Sequence, residues 1–290
     1  MESIKALIQR HNVVAKKALG QNFLIDTGVV EDILDAAEIT KDDLVLEIGP
    51  GLGSMTLEIA KRAGKVVAVE LDQSLIPILN AYLFGYDVTV LHKDILKVNI
   101  EEEIMKPYGT KPDGTPYTLK VVSNLPYYIT TPIIMKLLED GIPAERMLFM
   151  VQLEVAERMC AGPGSKAYGA LSVAIRYYSE PENLFTVPPH AFMPRPGVDS
   201  AVVRLAVRNK PQREDVDRKQ FFKTVKAAFA QRRKTLVNSL ANAGCFSLSK
   251  EQYQEILGEM GLPADVRGER LSIDDFSDLT KKILFRSLNG

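Results

Sequence analysis

The sequence predicts an α/β fold: a mostly parallel sheet of seven strands with helices on both faces, followed by a smaller all-α region. Three observations predict it. The apolar run 44–48 leads at once into Gly49-Pro50-Gly51-Leu52-Gly53 and then into a helix-like stretch, 54–63, which is a strand, a sharp turn and a helix in succession. Further short apolar runs alternate with helical patterns as far as Val207, the alternation that builds a parallel sheet. Beyond Pro211 no strand pattern remains, and every apolar repeat has helical spacing.

Taken in order, residues 4–9 read as a short helix. Residues 16–26 lack helical periodicity and read as an ordered loop. Val29, Val30, Ile33, Leu34 and Ala37 mark one helix face. Residues 44–48 form a buried strand, apolar and bounded by turn residues. Glycines 49, 51 and 53 form the turn where the backbone passes close to something bound, and Ser54 or Thr56 is expected near the cap of the next helix. Residues 65–70 are the second strand, Leu75, Ile76, Leu79 and Leu83 the next helix, and 88–91 the third strand. A short helix over 100–105 precedes a loop, 108–117, rich in Gly and Pro. Residues 119–123 are the fourth strand. The helix 132–138 opens with Pro132 in its first turn. Residues 147–153 are the fifth strand, and helices are expected over 154–159 and 168–177. Residues 183–187 and 201–207 supply the last two strands, with an antiparallel edge expected because no full helix separates them. Residues 221–230, 236–241, 253–260 and 276–284 read as helices. The boundary falls near Asn209, giving domains 1–208 and 209–290.

Composition narrows the classes of function. The chain has 290 residues, 46% hydrophobic and 25% charged, as in a soluble globular protein. No apolar run reaches the roughly 18 residues of a membrane span. Residues 1–17 hold no uninterrupted apolar core and do not read as a secretory signal. Cys160 and Cys245 lie far apart, which fits a reducing compartment, and with three histidines no metal site is expected. The net charge of −1 hides an asymmetry: residues 1–199 carry 19 Lys and Arg against 26 Asp and Glu, residues 200–290 carry 17 against 11. A basic C-terminal part hints at a polyanionic partner, although a solvated charge pattern would look the same.

The chemistry is expected at the carboxyl ends of the strands, where open α/β sheets bind ligands. The glycines stand at positions one, three and five of the turn, with Ser54 at position six, so the pyrophosphate-binding spacing of dinucleotide folds is absent. Glu47 before three alternate glycines looks like the S-adenosylmethionine loop of class I methyltransferases. Gly49 and Gly51 let the backbone approach that cofactor. Glu70, ending the second strand, suits both ribose hydroxyls, and Asp94, after the third, suits the adenine amino group of the donor. Asn124-Leu125-Pro126-Tyr127 resembles the Asn-Pro-Pro-Tyr type motif of enzymes that methylate an exocyclic amine of a nucleobase. Such an amine is conjugated with its ring and is a poor nucleophile. If the Asn124 oxygen and the Leu125 or Pro126 carbonyl accept its two hydrogens, the nitrogen pyramidalises and frees its lone pair. Pro126 fixes the turn and adds no competing donor. Tyr127 offers a face on which an extruded base stacks, worth about 1–3 kcal/mol.

Four segments then carry a resemblance over nearly the whole chain: Lys17-Ala18-Leu19-Gly20-Gln21-Asn22-Phe23-Leu24, Glu47-Ile48-Gly49-Pro50-Gly51-Leu52-Gly53, Asn124-Leu125-Pro126-Tyr127 and Phe192-Met193-Pro194-Arg195-Pro196-Gly197-Val198-Asp199-Ser200. In this order they resemble the small-subunit (16S) rRNA adenine N6,N6-dimethyltransferase family, KsgA type. The resemblance implies a class I, Rossmann-like methyltransferase that uses S-adenosylmethionine. It implies two methyl groups transferred to N6 of each of two adjacent adenosines near the 3′ end of 16S rRNA in the 30S subunit or its precursor. It further implies that Asn22, Leu24, Gly49, Glu70, Asp94 and Asn124 contact the cofactor, that Asn124 also faces the target amine, and that Tyr127 and Phe192 sandwich the adenine. Lys16, Lys17, Arg195 and the helical run Arg232-Arg233-Lys234 are the expected RNA contacts. A cytoplasmic monomer is expected. The related methylation of one adenosine in large-subunit rRNA and a non-catalytic assembly role are the alternatives.

Overall fold

The computed structural model describes residues 3–289. Met1, Glu2 and Gly290, the ends of the two expected domains, lie outside them. The chain separates into two units: one runs to Ala156 and resumes at Glu182–Val207, and the other takes Glu157–Pro181 and everything from Arg208 on.

The first unit is built on β1 (Asp43–Ile48), β2 (Lys65–Glu70), β3 (Val88–His92), β4 (Thr118–Asn124), β5 (Ala144–Gln152), β6 (Ser179–Val187, which begins in the other unit) and β7 (Ser200–Val207). Their order across the sheet is β3-β2-β1-β4-β5-β7-β6. β1 pairs in parallel with β2 and β4, β2 with β3, and β4 with β5, whereas β7 runs antiparallel to β5. The chain therefore winds outward from β1 through β2 to β3, then crosses back to β4. That reversal between β1 and β4 is the switch point at which α/β sheets open a crevice. All six residues of β1 are buried, as a central parallel strand covered on both faces requires.

The covering helices are α1 (Ile4–Arg10), α2 (Thr27–Ala37), α3 (Ser54–Arg62), α4 (Ile76–Tyr82) and α5 (Thr130–Glu139). Local chemistry starts two of them. Ser3 accepts from the Ala6 N–H, and Asp26 accepts from Gly28 and Val29. For α3 the expected hydroxyl cap is replaced: Gly53 occupies the N-cap at φ +85° and no side chain caps the helix. One core joins Ile33, Leu34, Val45, Ile59, Val122 and Val202; a second joins Leu7, Phe23, Leu52, Leu57 and Leu79. The loop read over 16–26 contains a 3₁₀ turn, Lys17–Leu19, and a two-residue strand, Phe23–Leu24, antiparallel to Phe192–Met193. The short helix expected over 100–105 is a π-helical turn, Glu101–Met105.

The second unit is helical: the end of α6 (Leu153–Cys160), then α7 (Ala170–Tyr178), α8 (Arg218–Phe229), α9 (Leu236–Ala243), α10 (Lys250–Glu259) and α11 (Ile273–Asn289). It includes Glu157–Pro181, which the sequence places in the first domain. The reason is aromatic packing that no local pattern reveals. Tyr177 lies 4.9 Å from Phe221, and Tyr168 lies 5.9 Å from Phe229, ring centre to ring centre. Caps at Thr235 and Ser249 and a left-handed Gly244 delimit α9 and α10. Arg232, Arg233 and Lys234 are not helical, contrary to expectation; they form the turn between α8 and α9.

Candidate active site

At the switch point the strand tips and the segment before α2 enclose a cleft of about 960 Å³ of atom-free space, open to solvent. Its wall includes Asn22, Leu24, Gly49, Gly51, Glu70, Asp94, Asn124, Leu125, Pro126 and Tyr127. Every expected cofactor residue, and every expected catalytic residue but one, thus meets in a single cleft.

The exception is Phe192. Its ring is 1% exposed and packs with Leu24, Val30 and Ile33 in the core. Phe192 pairs with Leu24 in the short antiparallel ladder and shares its core cluster, and unlike Leu24 it is not part of the cleft lining. In this arrangement its ring supports the wall from the core side. An aromatic face that sequence reasoning missed is Tyr128, 54% exposed and lining the cleft. A Cβ on Gly20 would come within 3.2 Å of its ring, so glycine there leaves room for the tyrosine beside the segment before α2. The doubled aromatic after Pro126 was the available signal.

The glycine turn needs glycine. Gly49 and Gly51 hold φ +67° and +60°, and a Cβ on Gly51 would meet the Phe23 ring at 3.1 Å. The Gly51 N–H donates to one oxygen of Glu70 at 3.2 Å and the Asp72 N–H to the other at 2.7 Å. Burial raises the Glu70 carboxyl and these backbone donors oppose the rise. A carboxylate offers about four acceptor sites, so acceptor capacity remains on Glu70 beyond these backbone donors. Asp94 accepts the Leu96 N–H at 3.1 Å through Oδ1, which opens the 3₁₀ turn Ile95–Lys97 and anchors the carboxylate at the cleft edge.

Asn124, at the tip of β4, donates from Nδ2 to the Asn22 carbonyl at 3.2 Å. That bond fixes the amide orientation and leaves Oδ1, among the described residues, without a protein donor. The Pro126 carbonyl accepts from the Ile129 N–H at 3.2 Å and the Thr130 hydroxyl at 3.0 Å. The Leu125 N–H is tied to the Met150 carbonyl at 3.1 Å. The Tyr127 hydroxyl lies 2.6 Å from Ser200 Oγ, which pins the ring in a half-buried position.

Lys16, one of the expected RNA contacts, is half exposed and holds an ion pair within the fold. Its ammonium lies 2.5 Å from Asp72 and 3.0 Å from Ser74 Oγ. Gln21 Nε2 donates to the other Asp72 oxygen at 2.8 Å, and the Ser74 N–H and hydroxyl donate as well. Asp72 is 3% exposed. Burial pushes its carboxyl up, but Lys16, Ser74 and Gln21 outweigh it and hold the pKa at about 2. Asp72 thereby latches residues 16–21 to the end of β2, and its own N–H positions Glu70. Of the other expected RNA contacts, Arg232 donates to the Lys166 carbonyl at 2.6 Å, while Lys17, Arg195, Arg233 and Lys234 are exposed with no ion pair among the described residues.

Glu47 is 1% exposed, lines the cleft floor, and has one carboxyl oxygen without a hydrogen-bond partner. Burial pushes its pKa up to about 8; the facing Thr56 hydroxyl opposes the rise and the Glu70 charge adds to it. The folded acid therefore keeps its proton to about pH 8, whereas an unfolded chain releases it near pH 4.3. The sign follows: between those values the native state binds the extra proton, so this contribution is complete below about pH 4 and is lost as pH rises toward 8. Glu47→Gln removes the dependence. The ligand-free variant is expected to gain on the order of 4 kcal/mol over wild type at pH 8 and less than about 1 kcal/mol at pH 5. Denaturant unfolding at both pH values measures it, and an equal difference at both would show Glu47 to be ionised in the fold.

Among the described residues no group of three or more His, Cys, Asp or Glu side chains is placed to hold a metal ion, and no helix is long and apolar enough to cross a membrane.

A left-handed glycine turn at the sheet's switch point, with a buried carboxylate at the neighbouring strand tip, is how class I S-adenosylmethionine-dependent methyltransferases seat their donor. The fold and the cleft put the protein in that class. A family model described as ribosomal RNA adenine dimethylase matches residues 12–283, and the chain belongs to that family. It is 50% identical over 275 residues to a ribosomal RNA small subunit methyltransferase A of Lachnoclostridium phytofermentans, covering 94% of this chain and 93% of that protein. Its likeness to the protein of the same description from Bacillus cytotoxicus is 48% over 282 residues, covering 97% and 95%. Among solved structures, a dimethyladenosine transferase from Plasmodium falciparum shares the fold, with a TM-score of 0.72 and 24% identity over 89% of this chain and 97% of that one. The 23S rRNA methyltransferase ErmE is 26% identical, with a TM-score of 0.66, over 90% of this chain and 99% of that one.

Proposed function

We infer that the protein transfers methyl groups from S-adenosylmethionine to N6 of two adjacent adenosines near the 3′ end of 16S rRNA, giving dimethyladenosines. The single observation that carries the reading is the Asn124 amide, oriented by the Asn22 carbonyl so that its oxygen is available in the cleft that the glycine turn and Glu70 also line.

Bound in that cleft, S-adenosylmethionine supplies an electrophilic sulfonium methyl group. Gly49 and Gly51 admit its close approach to the backbone, Glu70 takes the ribose hydroxyls on its remaining acceptor sites, and Asp94 takes the adenine amine. Asn22 and Leu24 close the cleft from the N-terminal side. For the target base, Asn124 Oδ1 accepts one amine hydrogen. The Pro126 carbonyl already accepts two bonds, so the second hydrogen falls to the Leu125 carbonyl. Holding both hydrogens favours a pyramidal nitrogen with its lone pair free for in-line attack. Tyr127, and beside it Tyr128, give the flipped base a stacking face. The aminium product is acidic enough to release its proton to water, so positioning and electrostatics supply the catalysis.

The substrate we assign is the 30S subunit or its precursor, met by a monomer in the cytoplasm. The naming of the relatives near 50% identity supports the small subunit, and Lys17, Arg195, Arg233 and Lys234, exposed and without an ion pair among the described residues, supply cations for the RNA backbone. Incubation with labelled donor and under-methylated particles tests it. Label is expected in 30S particles and not in 50S particles. Label in 50S particles alone would favour the large-subunit reaction, and stoichiometric binding without transfer would favour an assembly role.

A further inference from the structure

A second hollow lies on the other side of the segment that walls the cleft. Residues 20–23 line both. The hollow is a groove of about 1140 Å³ of atom-free space between Val13–Ala15 and Met193-Pro194-Arg195. Val14 is 81% exposed and Met193 38%, large apolar groups left in water on opposite walls. Lys17 and Arg195 stand at the same groove, exposed and without an ion pair among the described residues. All of these residues belong to the first unit.

We propose that this groove holds the nucleoside next to the one being methylated. The inference rests on the RNA reading of the cleft and specifies how the neighbouring adenosine is kept in place. Flipping one base into the cleft breaks its stack and leaves the face of its neighbour in water. An apolar slot one wall away restores a stacking surface, and the phosphates on either side of that neighbour need cations. The groove provides both: Val14 and Met193 for the base, Lys17 and Arg195 for the phosphates. Tyr128 lines the cleft and lies beside Gly20, which lines both hollows. A peptide or lipid partner would not require two unpaired cations beside a slot adjoining the acceptor site.

The test is a cycle between protein and RNA, using 30S particles whose 16S 3′ fragment is synthetic and carries an abasic residue in place of the second adenosine. For wild type, the abasic particle is expected to raise KM about tenfold, the worth of one stacked base, with kcat for the remaining adenosine little changed. Met193→Asp is expected to raise KM on the intact particle by a similar factor and to show no further rise on the abasic one. S-adenosylmethionine affinity stays at the wild-type value. Val14→Asp, at a more exposed position, repeats the measurement should Met193→Asp unfold early in a thermal scan. Equal penalties for the abasic residue in wild type and both variants would overturn the groove assignment while leaving the methyltransferase reading intact. Failure of wild type to methylate the intact particle would overturn both.

Discussion

Asn124→Ala protein is expected to fold, to bind S-adenosylmethionine within about tenfold of wild type, and to lose on the order of 10²–10³ in turnover, the usual cost of removing one preorganised polar group aimed at developing charge. The asymmetry follows from the geometry. On the proposed reading, donor binding is spread over the glycine turn, Glu70, Asp94 and the segment around Asn22, and acceptance of the target amine rests on Asn124 Oδ1 and one main-chain carbonyl. Some donor affinity is lost because the Asn22 carbonyl loses the bond from Nδ2. Asn124→Asp separates the two roles. It keeps an acceptor for the amine but removes the donor to Asn22, so it is expected to recover part of the turnover without recovering donor affinity. Isothermal titration with the donor and single-turnover transfer to 30S particles measure both quantities. Near-normal turnover in Asn124→Ala would remove the residue from the mechanism.

Asp72→Asn is expected to raise KM for S-adenosylmethionine by about tenfold or more and to leave kcat at saturating donor nearly unchanged. Asp72 touches no expected position of the donor, so its effect is positional. Its carboxylate gathers Lys16, Gln21 and Ser74, and each bond to a charged group is worth about 1.5–3 kcal/mol when lost. Neutralising it leaves the Lys16 ammonium without its partner and frees residues 16–21, whose continuation, Asn22 to Leu24, walls the cleft. The disturbance also reaches Glu70, because the Asp72 N–H fixes one of its oxygens. Lys16→Met cuts the same latch from the other side and is expected to shift KM in the same direction by less, since Gln21 and Ser74 still bind Asp72. A fall in kcat with KM unchanged in both variants would place the latch on the acceptor side instead.

Much of this was written in local sequence. Buried strands appear as short apolar runs, which made β1, β2, β4, β5 and β7 legible, and the partly exposed edge strands β3 and β6 still showed apolar centres, although boundaries moved by a few residues where β5 and β6 extend past them. The glycine turn, Glu70, Asp94 and the Asn124 motif declared themselves because strand order dictates what meets at a switch point. What stayed hidden depends on contacts across the chain. Lys16 looks like a free cation until Asp72, far along the sequence, arrives beside it. Phe192 reads as a stacking face, and only its burial among Leu24, Val30 and Ile33, distant in sequence, shows the ring in the core. Arg232-Arg233-Lys234 has helix-forming composition, yet Lys234 N–H bonds to the Gln231 carbonyl in a tight turn before the Thr235 cap. The segment Glu157–Pro181 joins the helical unit because Tyr168 and Tyr177 find partners on α8, which no periodicity announces.

The central claim is that one cleft brings a methyl donor to the exocyclic amine of an adenosine held by Asn124. Mass-spectrometric mapping of nuclease fragments from 16S rRNA, after exhaustive reaction of wild-type protein with under-methylated 30S particles, tests it most directly. The predicted result is two methyl groups on N6 of each of two neighbouring adenosines near the 3′ end, and none with Asn124→Ala in the same time. Methyl groups on a ring nitrogen, on carbon, or on a base other than adenine would contradict it.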